Sequence, residues 1–315
     1  MASDAIAIDP EVCAALAARR PVVALESTII THGMPRPENA ATAQAVEDLI
    51  RAEGAVPATI AVLDGVVRVG LTPAELAALA ERPDVEKASR RDLAPVVARG
   101  GTAGTTVAAT LFLAARAGIT VFATGGIGGV HRGVAATFDI SADLVELGRC
   151  PVALVCAGAK SILDIPKTLE FLETQGVPVI AYGSDMFPAF FARSSGVPAE
   201  RRCDTPAALA AVIAAHRRLD LPGGILIGNP LPAAVAMPEA EMEAIIARAA
   251  AEAVAQGVSG KALTPFLLAR LIALSEGRSL IANQALIRAN ATLAARVAVA
   301  LAVLEGALPP TEARR

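Results

Sequence analysis

The alternation of short β-branched runs with alanine-rich segments is the feature that most restricts how this chain can fold. Strand-length runs separated by helix-length segments are typical of βαβ units. The predicted strands are Val22–Leu25, Thr59–Leu63, Val66–Val69, Thr120–Ala123, Val152–Cys156, Val177–Ala181 and Gly224–Ile227. The predicted helices are Glu38–Ala52, Thr72–Ala80, Thr105–Ala117, Ile165–Gln175, Pro206–His216, Pro238–Gln256, Thr264–Ser275 and Leu280–Leu304.

These elements predict an α/β protein with three layers, α/β/α, and a helical C-terminal third. Asp64-Gly65 tolerates the positive φ angles of a tight hairpin, so the sheet should be mixed although mostly parallel. The sequence Thr72-Pro73-Ala74-Glu75 is a capping box with proline at the first helical position. No repeat, low-complexity linker or long charge run divides the chain, so residues 1–315 are expected to form one globule.

The composition excludes several classes of partner. The net charge is −3, which gives no argument for binding to nucleic acid or to a membrane. The four cysteines form no Cys-x-x-Cys pair, and Cys150 and Cys156 fit small core residues in a reducing compartment. The N-terminus lacks the basic start of a signal peptide, and the apolar stretch Val297–Leu304 is far shorter than the ~20 residues of a membrane span. A cytoplasmic protein is expected.

Lys160 directly follows the apolar run Pro151–Ala159. Only 4 of the 28 basic residues are lysines. A lysine in an apolar site can lose its proton and attack a carbonyl, whereas an arginine stays protonated. Lys160 also follows a predicted buried strand, where open α/β sheets bind their ligands. The alternative is a chance surface lysine in a chain whose codon usage favours arginine.

Glu26 ends the first predicted strand and enters a threonine-rich loop, Ser27–Pro35. A carboxylate in this position is well placed for general acid–base work. It could equally cap or brace the loop.

The first of two glycine-rich segments suggests contacts with an anion. Gly100–Val107 leads into a predicted helix, whose free N–H groups and dipole make a phosphate cradle. It lacks the Gly-Lys-Ser/Thr of a nucleotide P-loop, and glycines there could serve close packing alone. Thr124–Gly133 fails the G-x-G-x-x-G spacing because His131 takes the third position, which argues against a dinucleotide. His131 itself could be a ligand, an acid–base group or a satisfied loop histidine.

Asp139-Ile140-Ser141-Ala142-Asp143 is expected to open a helix. Acids four apart share a helical face, and with the serine they offer oxygen ligands for Mg²⁺ or Mn²⁺. An aspartate at a helix start is also an ordinary cap. Two carboxylates are too few for a closed cage, so a metal here would keep waters and face a substrate.

Together these segments resemble the pseudouridine-5′-phosphate glycosidase family. The similarity runs in order through nearly the whole chain, in the strings Ala24–Pro35, Lys87–Asp92, Gly101–Val107, Phe122–Gly133, Asp139–Leu144 and Cys156–Asp164, as far as the helix containing Asn283. It implies reversible cleavage of the C–C glycosidic bond of pseudouridine 5′-phosphate to uracil and ribose 5-phosphate. It also implies a homotrimer with one Mn²⁺ per subunit, for which Mg²⁺ is an alternative.

The resemblance also implies roles for individual residues. Lys160 would be the nucleophile that holds ribose C1′ as an imine, Glu26 the proton donor and Asp139 the metal ligand. The substrate contacts would be Lys87, Thr106, Val107, Ser141, Ala142, Asp143, His131 and Asn283. Lys167 and Lys261 keep a structural interpretation. Two other hypotheses remain, an aldolase-like Schiff-base lyase of sugar phosphates and a non-catalytic phosphosugar sensor.

Overall fold

The computed structural model describes residues 6–258 and 263–308. Within these ranges the strands are β1 Ile6–Ile8, β2 Val22–Leu25, β3 Val56–Leu63, β4 Val66–Val69, β5 Glu86–Ala88, β6 Ala103–Thr105, β7 Val121–Ala123, β8 Val130–His131, β9 Ala153–Cys156, β10 Leu163–Asp164, β11 Val179–Tyr182, β12 Arg201–Cys203 and β13 Ile225–Gly228. The helices are α1 Pro10–Ala17, α2 Glu38–Ala52, α3 Pro73–Glu81, α4 Leu93–Ala98, α5 Val107–Ala117, α6 Val134–Thr137, α7 Ala142–Leu147, α8 Ile165–Thr174, α9 Pro206–Arg218, α10 Glu239–Ala255, α11 Leu263–Leu274 and α12 Arg278–Leu304.

Eleven of the described strands form one sheet in the order β1-β4-β3-β2-β7-β9-β13-β11-β12, with β6 bonded to β3 and β5 bonded to β6. Strand β3 runs antiparallel to β4 and β6, and the other pairs of this sheet are parallel. Asp64 and Gly65 turn the chain between β3 and β4 with φ of 47° and 81°, as a two-residue hairpin requires. The predicted mixed, mostly parallel sheet is confirmed.

Helices cover both faces of this sheet. One core lies between the sheet and α2, α9, α10, α11 and α12. The other lies between the sheet and α1, α4, α5, α7 and α8. Because each face of a parallel sheet is hydrophobic, both faces need such a helical layer. The predicted three-layer α/β/α architecture and the helical C-terminal third are confirmed.

The predicted elements differ from the observed ones mainly where strands are short. Six strands were not predicted, because two or three residues are too few to show an alternation of apolar and polar side chains. These strands are β1, β5, β6, β8, β10 and β12. Strand β6 lies inside the predicted glycine-rich loop and includes Thr105, so the helix expected from Thr105 begins at Val107. The predicted starts of α2 and α8 are correct.

Helix α12 is long and apolar enough to cross a membrane by itself, although the apolar run Val297–Leu304 within it is too short to indicate this. However, 61% of its most apolar window is buried within the protein. The helix packs against α2, α9 and the strands β2, β7 and β9. It is therefore the central helix of one of the two cores.

The buried side chain of Asn290 joins α12 to the ends of the central strands. Its Nδ2 donates to the carbonyl oxygens of Thr124 at 2.8 Å and Gly125 at 3.2 Å. Its Oδ1 accepts from Nδ2 of Asn229, which follows β13, at 3.0 Å. Asn283 lies seven residues earlier, so two helical turns place it on the same face of α12. The contacts of Asn290 therefore fix where Asn283 stands relative to the strands.

Replacing Asn290 with alanine should lower the free energy of unfolding by about 2–4 kcal/mol, because it leaves buried partners in three residues without a hydrogen bond. The control is Thr292→Ala on the same helix, whose hydroxyl bonds only to the local carbonyl of Arg288 and should matter by less than about 0.5 kcal/mol. Urea unfolding measures both values. Equal losses in the two variants would contradict a special role for Asn290.

Candidate active site

The candidate active site lies at the carboxyl ends of β2, β7 and β9, which are neighbours in the sheet. Leu25 pairs with Ala123, and Ala123 pairs with Val155, so the three strands end at about the same level. Glu26 follows β2 directly and Lys160 follows β9 after three residues. Carboxyl ends of parallel strands are where open α/β sheets bind ligands.

Two adjoining cavities of about 160 and 40 Å³ share four lining residues, Glu26, Thr28, Lys87 and Lys160. The larger cavity is also lined by further residues singled out in the sequence: Thr106, Val107, His131, Ser141, Ala142 and Asp143. The smaller cavity is lined by Asn283. The structure therefore brings together every predicted catalytic and substrate-contacting residue. Asp139 lines neither cavity.

Lys160 is held at the cavity by its backbone. Its N–H donates to the carbonyl of Ile127 at 3.0 Å, and Gly158 two residues earlier has φ of 90°. A Cβ on Gly158 would lie 2.2 Å from the carbonyl oxygen of Pro188, so this turn requires glycine. The partly buried Lys160 side chain forms no hydrogen bond or ion pair with residues 6–258 or 263–308.

The other described lysines differ from Lys160 in this respect. Lys167 is exposed, and its Nζ lies 2.5 Å from the Asp164 carboxylate, as the structural interpretation expects. Lys87 also has a polar or electrostatic partner. Lys261 lies outside the described residues. The amine of Lys160 is thus the one that the described residues leave open to a ligand.

Glu26 is buried and oriented by two hydroxyl groups. Thr28 donates to its Oε2, and Thr124 donates to its Oε1. Each carboxylate oxygen retains a further lone pair, because an ionised carboxylate offers about four acceptor sites. Glu26 thus braces the threonine-rich loop and also lines both cavities, and its acid–base role stays a prediction. Thr124 was not singled out, since only the strand order shows that it neighbours Glu26.

The larger cavity has an anion-binding character at one end. The N-termini of α5 and α7 meet there, and the first N–H group of each, from Val107 and Ala142, donates to no acceptor in the described part of the chain. Lys87 adds a positive charge. The phosphate cradle expected at Gly100–Val107 has fewer free N–H groups than its sequence suggests, because the N–H of Thr105 donates to Ser27 Oγ and that of Thr106 to the Ala88 carbonyl. Thr106 lines the cavity and caps α5.

Asp143 fixes the wall of this cavity. Its Oδ1 accepts from the N–H of Ala108 at 2.9 Å, and its Oδ2 accepts from the N–H of Gly128 at 2.7 Å. A Cβ on Gly128 would lie 2.2 Å from Oγ of Ser141, so only glycine allows this close approach. The carboxylate joins the start of α5 to the loop after β7.

The expected helix start at Asp139 is wrong, because α7 begins at Ala142 with Ser141 as its N-cap. Asp139 lies on the preceding loop with a half-exposed side chain, so it shares no helical face with Asp143. His131 Nδ1 lies 3.8 Å from Asp139 Oδ2. No group of three His, Cys, Asp or Glu side chains suited to a metal occurs among the described residues. One carboxylate with a neighbouring imidazole fits only an ion that keeps most of its waters.

The smaller cavity has a different lining. Asn283 offers an amide, while Phe190, Ile29 and Leu268 supply apolar walls. His32 also lines it; burial, and then the positive charge of Lys87, lowers the pKa of its imidazole, which favours the neutral ring. This mixture of flat apolar surface and neutral polar groups suits an uncharged ring with hydrogen-bonding edges.

The buried cysteines do not belong to the site chemistry. Burial raises the pKa of Cys156 to about 12, and its Sγ accepts from the N–H of Gly158 at 3.3 Å. Burial and the neighbouring Glu146 likewise raise the pKa of Cys150 to about 12. Both are protonated, inert core thiols, as the sequence predicted.

Residues 11–300 match the family described as indigoidine synthase A like protein. The pseudouridine-5′-phosphate glycosidase of Methylobacterium nodulans is 60% identical over 93% of this chain and 87% of its own length. That of Paracoccus denitrificans is 58% identical over 94% and 98%. Among solved structures, the prealnumycin C-glycosynthase AlnA in complex with ribulose 5-phosphate has a TM-score of 0.88 and 40% identity, over 96% of this chain and 98% of its own. An indigoidine synthase A-like protein from Thermotoga maritima has a TM-score of 0.86 and 35% identity, over the same shares.

Replacing Asp143 with alanine should lower the free energy of unfolding by about 2–4 kcal/mol, because the buried N–H of Ala108 and the half-buried N–H of Gly128 lose their acceptor. Asp139→Ala serves as the matched control, with an expected loss below about 0.5 kcal/mol since its side chain is half exposed. Urea unfolding at neutral pH gives both numbers. If Asp139→Ala cost as much as Asp143→Ala, the structural assignment of Asp143 would be wrong.

Proposed function

Because this chain belongs to the indigoidine synthase A like family, we propose that it catalyses the reversible cleavage of pseudouridine 5′-phosphate to uracil and ribose 5-phosphate. The observation that carries the proposal is the amine of Lys160, which shares a cavity with the Glu26 carboxylate and an anion-binding end. Relatives 56–60% identical over most of their length are pseudouridine-5′-phosphate glycosidases by name. The role of such an enzyme is pseudouridine degradation and nucleotide salvage.

The chemistry explains why a lysine is needed. In an ordinary glycosidase, the leaving atom is an oxygen whose lone pair takes a proton. In pseudouridine the leaving atom is the uracil carbon C5, which has no lone pair to protonate. The bonding pair must leave with C5, so the C–C bond can break only if an atom bonded to C1′ supplies an electron pair to C1′. A primary amine bonded to C1′ does so, because its lone pair can form a C=N bond.

The reaction then proceeds through Lys160. Its neutral Nζ bonds to C1′ while the bond from C1′ to the ring oxygen O4′ breaks, and Glu26 supplies the proton that O4′ takes. The nitrogen then loses a proton to the Glu26 carboxylate, which frees its lone pair. This lone pair forms the imine while the bond between C1′ and C5 breaks, and C5 takes the proton from Glu26. Water hydrolyses the imine, which releases ribose 5-phosphate and restores the amine.

Glu26 is suited to the proton transfers by its setting. The hydroxyls of Thr28 and Thr124 hold the carboxyl group in one orientation, so it does not have to be ordered when substrate binds. Its position in the wall of both cavities puts it between the phosphate end and the end lined by Asn283.

The substrate is expected to lie across both cavities. Its phosphate would bind to the N–H groups of Val107 and Ala142, the Thr106 hydroxyl and Lys87, where two helix N-termini favour an anion. Ser141, Asp143 and His131 would contact the ribose phosphate, the first two through their position in the same wall. The uracil ring would occupy the smaller cavity, with Asn283 at one of its polar edges.

A divalent cation belongs to the proposal as well. Asp139, with His131 beside it, would hold one hydrated Mn²⁺ or Mg²⁺ per subunit at the edge of the anion-binding end. When bound, such an ion neutralises part of the phosphate charge. A homotrimer and a cytoplasmic location complete the proposal. The homotrimer rests on the family resemblance, and light scattering of the purified protein tests it; the location rests on the scattered cysteines, which fit a reducing compartment.

The proposed activity can be tested by ultraviolet absorbance of uracil mixed with ribose 5-phosphate, with and without Mn²⁺. Formation of the C–C bond should change the uracil absorbance in the presence of the protein, and Mn²⁺ should increase the rate. An aldolase-like lyase would instead consume aldol donors and ignore uracil. Binding of ribose 5-phosphate without any turnover would leave only a sensor.

Replacing Lys160 with arginine should reduce turnover to background, because a guanidinium keeps the positive charge but has no neutral amine to form an imine. Lys167→Arg is the matched control: it makes the same change at an exposed lysine and should retain full kcat. Circular dichroism should show the same fold in both. Wild-type kcat in Lys160→Arg would exclude the imine mechanism.

A further inference from the structure

A third cavity is lined by Glu26 but not by Lys160. It has a volume of about 20 Å³ and is lined by Glu26, Thr42, Thr59 and apolar side chains such as Met34 and Ile287. A volume of this size holds one water molecule, provided that polar groups line it. Three of its lining residues carry hydroxyl or carboxyl oxygens, so the cavity meets this condition.

Thr42 gives an independent reason to place a water there. Its side chain is 3% exposed, and its Oγ1 has no hydrogen-bond partner among the described residues. Buried hydroxyls are nearly always bonded, and an isolated one calls for an explanation. A water in this cavity would bond Thr42 Oγ1 and also reach an oxygen of Glu26 that still has a free lone pair.

Glu47 lies next to this cavity and has no role in the proposed reaction. It projects from α2 and is 4% exposed. Its Oε1 accepts from Thr59 Oγ1 at 2.5 Å, and Thr59 lines the cavity. Thr59 also pairs with Leu25 across the sheet, directly before Glu26. The Glu47 carboxyl group, the Thr59 hydroxyl and the water-sized cavity thus follow one another in space from α2 to Glu26.

We propose that this cavity binds one water molecule and that Glu47, Thr59 and this water form a relay that returns a proton to Glu26 after each transfer to substrate. A hydroxyl can accept a proton on one side and release its own on the other. When Glu47 is protonated, its O–H donates to Thr59 Oγ1 across the same 2.5 Å, and the Thr59 O–H donates to the water instead. The Glu47 proton then passes to Thr59, the Thr59 proton passes to the water, and a water proton passes to the Glu26 carboxylate. Glu47 then takes a proton from solvent. This deepens the proposed function and rests on it.

The surroundings of Glu47 support a group that holds a proton. Burial raises the pKa of its carboxyl; the hydrogen bond from Thr59 and the positive charge of Arg51 oppose this rise, and the negative charges of Asp48 and Glu11 add to it. Arg51 is itself bound to Glu11 on α1 at 2.7 Å. From the α12 side, Arg296 binds Glu53 at the far end of α2.

The raised pKa has a consequence for stability that does not depend on any activity. Since the pKa of Glu47 is higher in the folded chain, its stabilising contribution is present at low pH and is lost as the pH rises through the folded value. The variant Glu47→Gln lacks this loss. Compared with the wild type, it should gain relative stability in urea unfolding as the pH rises above the ordinary glutamate pKa of about 4.3.

The relay is tested by the pH dependence of kcat. Glu47→Gln should lower kcat about tenfold with KM within about twofold, and should remove one limb of the pH profile, since reprotonation of Glu26 becomes slow. Thr42→Val should lower kcat by a smaller factor, and Thr42→Ser, which keeps the hydroxyl, should restore it. Glu81→Gln, which removes an exposed carboxylate of α3 that does not act on Glu47, should leave both kcat and the profile unchanged.

A crystal structure gives the second measurement. It should show an ordered water within hydrogen-bond distance of Thr42 Oγ1, Thr59 Oγ1 and Glu26, and that water should be absent in Thr42→Val. An empty cavity, or an unchanged pH profile in Glu47→Gln, would overturn the relay. If the wild-type protein shows no reaction with uracil or pseudouridine 5′-phosphate, the proposed function fails by itself, and the crystal structure alone decides whether the water site exists.

Discussion

The parallel register of β2, β7 and β9 is the constraint on which the rest of the site depends. It ends the three strands at one level, so residues distant in sequence become neighbours: Glu26, Thr124 and the loop to Lys160. The Asn290 amide then bonds to the carbonyl of Thr124 and so fixes α12 against the same edge. The sheet therefore determines the distance between the Lys160 amine and the Glu26 carboxyl group. Helix α12 covers the site on one face of the sheet.

Hydrogen bonds that carboxylates accept from backbone N–H and hydroxyl groups organise the rest of the site. Asp143 accepts two N–H groups and joins two loops, while Glu26 accepts two hydroxyls and stays oriented. The two acids thus have different tasks although both are buried. Both carboxylate oxygens of Asp143 accept backbone N–H groups in the cavity wall. Glu26 retains free lone pairs and lines three cavities.

Much of the fold could be predicted because long α/β elements have clear periodicity. The hairpin at Asp64-Gly65, the capping box of α3 and the bounds of α2 are as expected. Strand β6 could not be predicted, since its three residues, Ala103–Thr105, lack any pattern and are defined by pairing with β3 and β5. The length of such an element is set by tertiary contacts and not by local propensity.

The sequence pattern indicated two cavity-lining residues by their place after predicted strands: Glu26 follows β2 directly, and Lys160 follows β9 after three residues. Thr124 also follows a strand, β7, but only the strand order shows that it neighbours Glu26. The four-residue spacing of Asp139 and Asp143 suggested one helical face, but Ser141 caps α7 and separates an exposed loop acid from a buried one. The cavity between Glu26 and Glu47 has no counterpart in the sequence, because it arises from packing of α2 on β3.

The central claim is that Lys160 forms an imine with the sugar phosphate. The most direct measurement is borohydride reduction of the protein with ribose 5-phosphate, followed by mass spectrometry of the peptides. The account predicts one reduced pentose phosphate adduct per subunit, located on Lys160 and absent without borohydride. An adduct on Lys87, or none on any lysine, would contradict it.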